Sequence, residues 1–190
     1  MAPGVARRGD LMSGASGPAI PVETCVRLFE AARSAESAWN RQPWRFVLGR
    51  CADPTFRTLS SALAEDNRVK ARTAVALILA TVRTTDDAGK RMRGTEYELG
   101  LAVGGLTARA RAEGLQVRQY GGFDRATVRA ALAVPDTHDL VTVVGLRWAR
   151  PDRVRPAARM SLSDIVFSGR WGSPADLATG KRRSSAESRY

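Results

Sequence analysis

Apolar residues recur every three to four positions along 21–33, where Val22, Cys25, Val26, Leu28, Phe29 and Ala32 supply one face of a predicted helix. The pattern then tightens: 44–48 reads as a strand closed by Gly49, and 56–63 as a short helix. Residues 65–72 carry no apolar period and read as a polar stretch. The continuous run 75–82, Val-Ala-Leu-Ile-Leu-Ala-Thr-Val, predicts a central strand covered on both faces. After a charged loop at 83–93, residues 96–113 show the longest helical pattern, ended by Gly114. A strand at 117–120, a helix at 124–132 and a strand at 140–148 follow. Helices and strands intermix without strict βαβ alternation, which predicts an α+β domain around a mixed sheet flanked by helices.

Flanking segments set the expected boundaries. Residues 1–20 are rich in Gly, Ser, Ala and Pro and read as an extended arm, 21–172 as the folded domain, and 173–190 as a basic, Ser-rich tail. A chain of 190 residues with a hydrophobic fraction of 44% is one domain of ordinary size. No apolar run approaches the roughly 18 residues needed to span a bilayer. Nor does a continuous apolar stretch follow Arg7 and Arg8, so a secretory signal is not expected and a cytoplasmic location is. Cys25 and Cys51 make no disulfide framework and lack the neighbours of a metal site; both are expected to pack as small hydrophobes.

The net charge of +11 is the compositional outlier. Such a field draws nucleic acid, anionic membranes, acidic proteins or phosphorylated ligands without choosing among them. The arginines are scattered, and the cluster Lys181-Arg182-Arg183 lies in the tail, where it reads first as a solvated terminus.

Three glycines, Gly100, Gly104 and Gly105, lie inside the longest predicted helix, each costing about 1 kcal/mol against alanine. A helix that keeps them is expected to meet another backbone or a flat ligand closely; poor helix quality offset by burial of Leu99, Leu101, Val103 and Leu106 is the bland alternative. Asn40-Arg41-Gln42-Pro43-Trp44-Arg45-Phe46 is a polar turn leading into a strand, with Trp44 as its aromatic anchor. The lone His138 sits in a predicted loop without a nucleophile nearby and reads as a surface histidine. No histidine cluster suggests a metal, and no Gly-rich dinucleotide fingerprint follows a strand.

Three segments in order carry a family signal: Ser37-Ala38-Trp39-Asn40-Arg41-Gln42-Pro43-Trp44, Gly121-Gly122-Phe123-Asp124, and Leu162-Ser163-Asp164-Ile165-Val166 leading to Arg170-Trp171-Gly172. Over residues 7–172 the chain resembles the nitroreductase superfamily. That resemblance implies an intertwined homodimer with FMN at its interface. It places Ser37 and Asn40 against the flavin from one subunit, as a hydroxyl and an amide that can donate to the cofactor. It implies Asn67 and Lys70 near the ring, and Gly121-Gly122 where a backbone N–H approaches N5 without a Cβ in the way. Arg159 matches an arginine that pairs with the phosphate through its forked donors, and Arg7 and Arg8 are further phosphate ligands. The pattern departs at Glu36 and Ala38, where the family often has proline and a second serine, and at Gly9 and Leu11 in the arm. Asp124 reads as a plain helix N-cap. Tyr97 and Glu98, opening the glycine helix, are the candidates for proton transfer, with capping or interface roles as their alternative.

Within that fold two activities are expected to compete. One is dehydrogenation of a small molecule such as a cyclic dipeptide with O2 as acceptor, as in cyclodipeptide oxidases, whose flavin subunit works with a small partner; here that partner would be acidic. The other is NAD(P)H-dependent reduction of nitroaromatics or quinones. A basic nucleic-acid-binding protein on the same fold is the non-enzyme alternative.

Overall fold

The computed structural model describes residues 17–149 and 157–177. The chain divides into two compact units, Met1–Arg150 and Pro151–Tyr190. The arginines Arg7 and Arg8, and the tail cluster at 181–183, lie outside the described residues.

The first unit is built on a four-stranded sheet: β1 (Trp44–Arg50), β2 (Ala76–Arg83), β3 (Leu115–Tyr120) and β4 (His138–Trp148), in the order β1-β2-β4-β3. All three pairings are antiparallel, correcting the mixed sheet expected from the sequence. The buried apolar run of β2 resembles a strand of a parallel sheet. Here helices cover both faces of an antiparallel sheet, and an antiparallel strand then needs the same two-sided hydrophobicity. Ala76, Ile78, Ala80 and Val82 face one core, and Leu77 and Leu79 the other.

The first core lies under α1 (Val22–Arg33) and α4 (Thr95–Ala112), which bring Leu28, Ala32, Leu99, Val103 and Leu106 onto the sheet. The second lies under α2 (Pro54–Ala62), α3 (Glu65–Ala71) and α5 (Arg125–Ala131), with Leu59, Ala71 and Val128. Local chemistry sets the helix ends. Asp53 caps α2 by accepting from the Phe56 N–H at 2.6 Å, with Pro54 preset for the first turn. Asp124 caps α5 through the Thr127 N–H at 3.0 Å, as its sequence context implied. Gly114, at φ 76°, takes the left-handed conformation that closes α4. The polar stretch 65–72 is in fact α3: with only Ala71 buried, it has too few apolar positions to show a helical period.

Gly105 explains one interior glycine of α4. A Cβ there would lie 2.6 Å from the carbonyl oxygen of Ala31, so α1 and α4 touch backbone to side. Gly100 and Gly104 face open space in the single chain. Together with Tyr97 and Leu101, 73% and 40% exposed, they make one continuous uncovered face of α4.

An ionic latch joins the same two helices. Glu113 accepts from Arg27 at 2.7 and 2.8 Å and pairs with Arg109 at 2.6 Å. The Arg27 hydrogen bond is the main cause that lowers the Glu113 carboxyl from 4.5 to about 2, assisted by Arg109 and opposed by burial. Because the folded-state value is depressed, the latch stabilises fully above about pH 4.5 and is lost as pH falls toward 2. Glu113→Gln should therefore lower Tm at pH 6 and leave it almost unchanged near pH 2. An equal loss at both pH values in thermal melts would show that the latch carries no such linkage.

In the second unit, Ser161 and Asp164 cap a short 3-10 turn, Leu162–Asp164, and the rings of Phe167 and Trp171 meet tilted by 55° with centroids 5.2 Å apart.

Candidate functional site

Two groups of the residues singled out in the sequence are assembled by the fold. The first is the turn between α1 and β1. Ser37 Oγ accepts from the Gln42 N–H at 2.9 Å, which leaves the hydroxyl hydrogen for another acceptor. Asn40 accepts from Gln42 Nε2 through its side-chain and main-chain oxygens, both at 3.1 Å, leaving its own amide hydrogens to donate. Trp39, Asn40 and Gln42 all have positive φ, at 52°, 54° and 47°. Asparagine tolerates that region; tryptophan and glutamine do so at a cost of order 1 kcal/mol each. Backbone held this way without glycine is a mark of functional turns.

Glu98 reaches this turn from α4. Its Oε1 accepts from the Ala38 N–H at 2.8 Å, its side chain is buried, and Oε2 has no partner among the described residues. That placement fits the capping role named as its alternative: the buried side chain, tied to the Ala38 amide, shapes the turn. Tyr97 instead stands exposed on the uncovered face of α4.

The second group lies where β3 ends. Gly121 and Gly122 turn the chain into α5, and the Gly122 carbonyl accepts from the Ala64 N–H at 3.0 Å and from Asn67 Nδ2 at 3.1 Å. Asn67 and Gly122, fifty-five positions apart, are thus in direct contact. A Cβ on Gly122 would approach Asn67 Nδ2 to 3.1 Å, whereas one on Gly121 would meet nothing. The Gly122 N–H has no acceptor among the described residues, and both glycines are exposed. Lys70 follows Asn67 by about one turn of α3 and is exposed. Arg125, which sequence reasoning passed over, completes the corner. Its guanidinium lies 4.5 Å over the Phe123 ring and donates to the carbonyls of Gly121 at 3.2 Å and Leu140 at 3.0 Å. Trp39 was likewise passed over as a side chain, and its 87% exposure is the signal that only coordinates reveal.

The turn belongs to the α1/α4 side of the sheet and the glycine corner to the α2/α3/α5 side. Among the described residues, no hydrogen bond joins the two groups within one chain. Arg159 lies in the second unit, where it is exposed. His138 opens β4 opposite Arg83 and is not in a loop. Its Nδ1 lies 3.1 Å from Thr137 Oγ1, and burial, followed by Arg45, Arg83 and Arg129, holds its pKa below the ordinary value. Among the described residues no helix is long and apolar enough to cross a membrane.

The fold recurs in known structures. The chain is similar to a structure described as an oxidoreductase containing FMN, at 23% identity and a TM-score of 0.75, covering 90% of this chain and 96% of that one. It is also similar to a nitroreductase-type protein from Desulfovibrio desulfuricans solved in complex with FMN, at 22% identity and a TM-score of 0.68, covering 84% and 91% of the two chains. A nitroreductase family protein from Streptococcus pneumoniae TIGR4 matches at 16% identity and a TM-score of 0.68, over 82% and 93%. No protein-family model matches the sequence. An uncharacterized 15.4 kDa protein from the ask 5′ region of Mycolicibacterium smegmatis is 34% identical over 148 residues, spanning 68% of this chain and 99% of that protein. The chain has the nitroreductase fold and belongs to the family of that Mycolicibacterium smegmatis protein.

Proposed function

We propose that the protein is an FMN-dependent oxidoreductase acting on a small molecule. The observation that carries this reading is the exposed Gly121-Gly122 corner, where the unengaged Gly122 N–H stands beside Asn67, with Lys70 one helical turn away. The donors fit FMN. A bare N–H suits close approach of a flat ring, Asn67 and Lys70 suit its carbonyl oxygens, and Ser37 and Asn40 offer further donors to the ribityl chain or phosphate. When bound, FMN supplies a two-electron acceptor at N5. The chain's own residues bind and orient it: Asn67 holds the Gly122 carbonyl so that the corner keeps its shape, and Glu98 does the same for the turn.

Because the turn and the corner sit on opposite layers of one chain, the reading includes a homodimer in which one copy offers Ser37 and Asn40 and its partner offers Asn67, Lys70 and Gly122. Arg159, and Arg7 and Arg8 from the arm, are proposed phosphate ligands of the same site. Within this class we favour dehydrogenation of a small molecule such as a cyclic dipeptide with O2 as acceptor. The charge of +11 supports an acidic companion subunit, which would relieve repulsion between basic copies and speed their association. NAD(P)H-dependent reduction is the alternative activity.

Purified protein should show flavin absorbance or take up FMN in near-stoichiometric amount, and Lys70→Ala should weaken that binding by about tenfold, in keeping with one charge-assisted contact of about 1.5 kcal/mol. Protein that neither carries nor takes up flavin sinks the enzyme reading. Anaerobic mixing then chooses between activities: bleaching by a cyclic dipeptide supports the dehydrogenase, and bleaching by NADPH alone supports the reductase.

A further inference from the structure

Trp39 is 87% exposed, an uncommon position for so large an apolar side chain. It stands in left-handed backbone at φ 52°, so the turn is strained to present it and gains no burial within its own chain in return. Strong local bonds hold it there: Glu98 Oε1 to the Ala38 N–H at 2.8 Å, Ser37 Oγ to the Gln42 N–H at 2.9 Å, and Arg41 Nε to the Ala38 carbonyl at 3.1 Å. The Arg41 guanidinium lies 4.7 Å from the indole centroid and has no acidic partner among the described residues. A cation thus rests against an aromatic ring that its own chain leaves uncovered.

We propose that Trp39 and Arg41 form a substrate platform on which the indole stacks a flat ring and the adjacent guanidinium binds an oxygen carried by that ring. Glu98 is the positioning residue that locks the platform through Ala38. The chemistry fits the residues. An indole face attracts planar π-systems, and a fixed guanidinium beside it selects those bearing a carbonyl, nitro or carboxylate oxygen. Holding both on a preformed turn spares the ordering cost of two long side chains on binding. The platform rests on the oxidoreductase reading for its purpose, but the contact itself is a property of the turn and is measurable without turnover.

Two measurements test it. The first follows the Trp39 indole N–H by NMR, assigned through its loss in Trp39→Leu, on the protein as purified. Titration with 4-nitrobenzoate should shift this signal to saturation, and cyclohexanecarboxylate, equal in charge but without a π-face, should not. The second compares the half-saturating concentration of 4-nitrobenzoate with that of ferricyanide for reoxidising photoreduced flavin in the flavin-loaded enzyme. Trp39→Leu and Arg41→Gln should each raise that ratio about tenfold, the size of one contact of this kind. Glu98→Leu should raise it similarly, and Glu98→Gln, which keeps the accepting oxygen, should restore it. No shift, or equal shifts with both carboxylates, overturns the platform, as does an unchanged ratio in Trp39→Leu. A saturable shift in a protein that neither carries nor takes up flavin would keep the platform and reject the oxidoreductase reading instead.

Discussion

Gly122→Val is expected to strip the protein of FMN while leaving its helices and strands in place. A Cβ at this position would already lie 3.1 Å from Asn67 Nδ2 and 3.5 Å from the Ala64 Cβ, and the branches of valine press further into the same space. Asn67 would be pushed from the Gly122 carbonyl, and the exposed N–H would lose its bare approach. Two hydrogen bonds of about 1–1.5 kcal/mol each are at stake, so FMN affinity should fall by about 100-fold. Gly121→Ala is the control: its Cβ meets nothing within the chain, so flavin content should hold if the ring approaches Gly122 alone. Flavin absorbance after reconstitution, read beside a circular-dichroism melt, checks both variants. A Gly122→Val protein with normal flavin content would show that the corner does not face the cofactor.

Glycines inside α4 should separate a contact within the chain from one between copies. Gly105→Leu must displace the Ala31 carbonyl, a backbone atom fixed by its own helix, and should cost about 3 kcal/mol. At about 2–4 °C per kcal/mol for a chain of this length, Tm should fall by roughly 6–12 °C. Gly100 and Gly104 meet nothing in the single chain, so larger residues there cause no internal clash. Alanine at either should gain up to about 1 kcal/mol of helix propensity. If the uncovered face of α4 packs against a second copy, the double variant Gly100→Leu/Gly104→Leu should remain folded and sediment as a monomer. A double variant that still sediments as a dimer would place the interface elsewhere.

Both experiments rest on distinctions that the sequence only partly contained. Periodicity located α1, β1, β2, α4 and β4 within a few residues, because each buries a continuous face whose spacing is written in the apolar residues. Asp124 and Gly114 marked helix ends by chemistry that acts over three or four residues, and such signals are local enough to read directly. The residues Ser37, Asn40, Asn67, Gly121 and Gly122 were legible as candidates through ordered motifs. Helix α3 was not, since a nearly all-exposed helix has no apolar period to detect.

Tertiary structure decided the rest. Strand direction depends on how connections cross the sheet, and a run buried on both faces is compatible with either direction once helices cover both sides. The contact between Asn67 and Gly122 spans fifty-five positions and follows from α3 folding back onto the end of β3. Glu98 read as either a proton-transfer or a capping residue at a helix start; the approach of α4 to the turn makes it a buried anchor for Ala38. The three glycines of α4 looked alike in the sequence, yet one meets a neighbouring helix and two meet open space, because a glycine's role is set by what lies beyond its missing side chain.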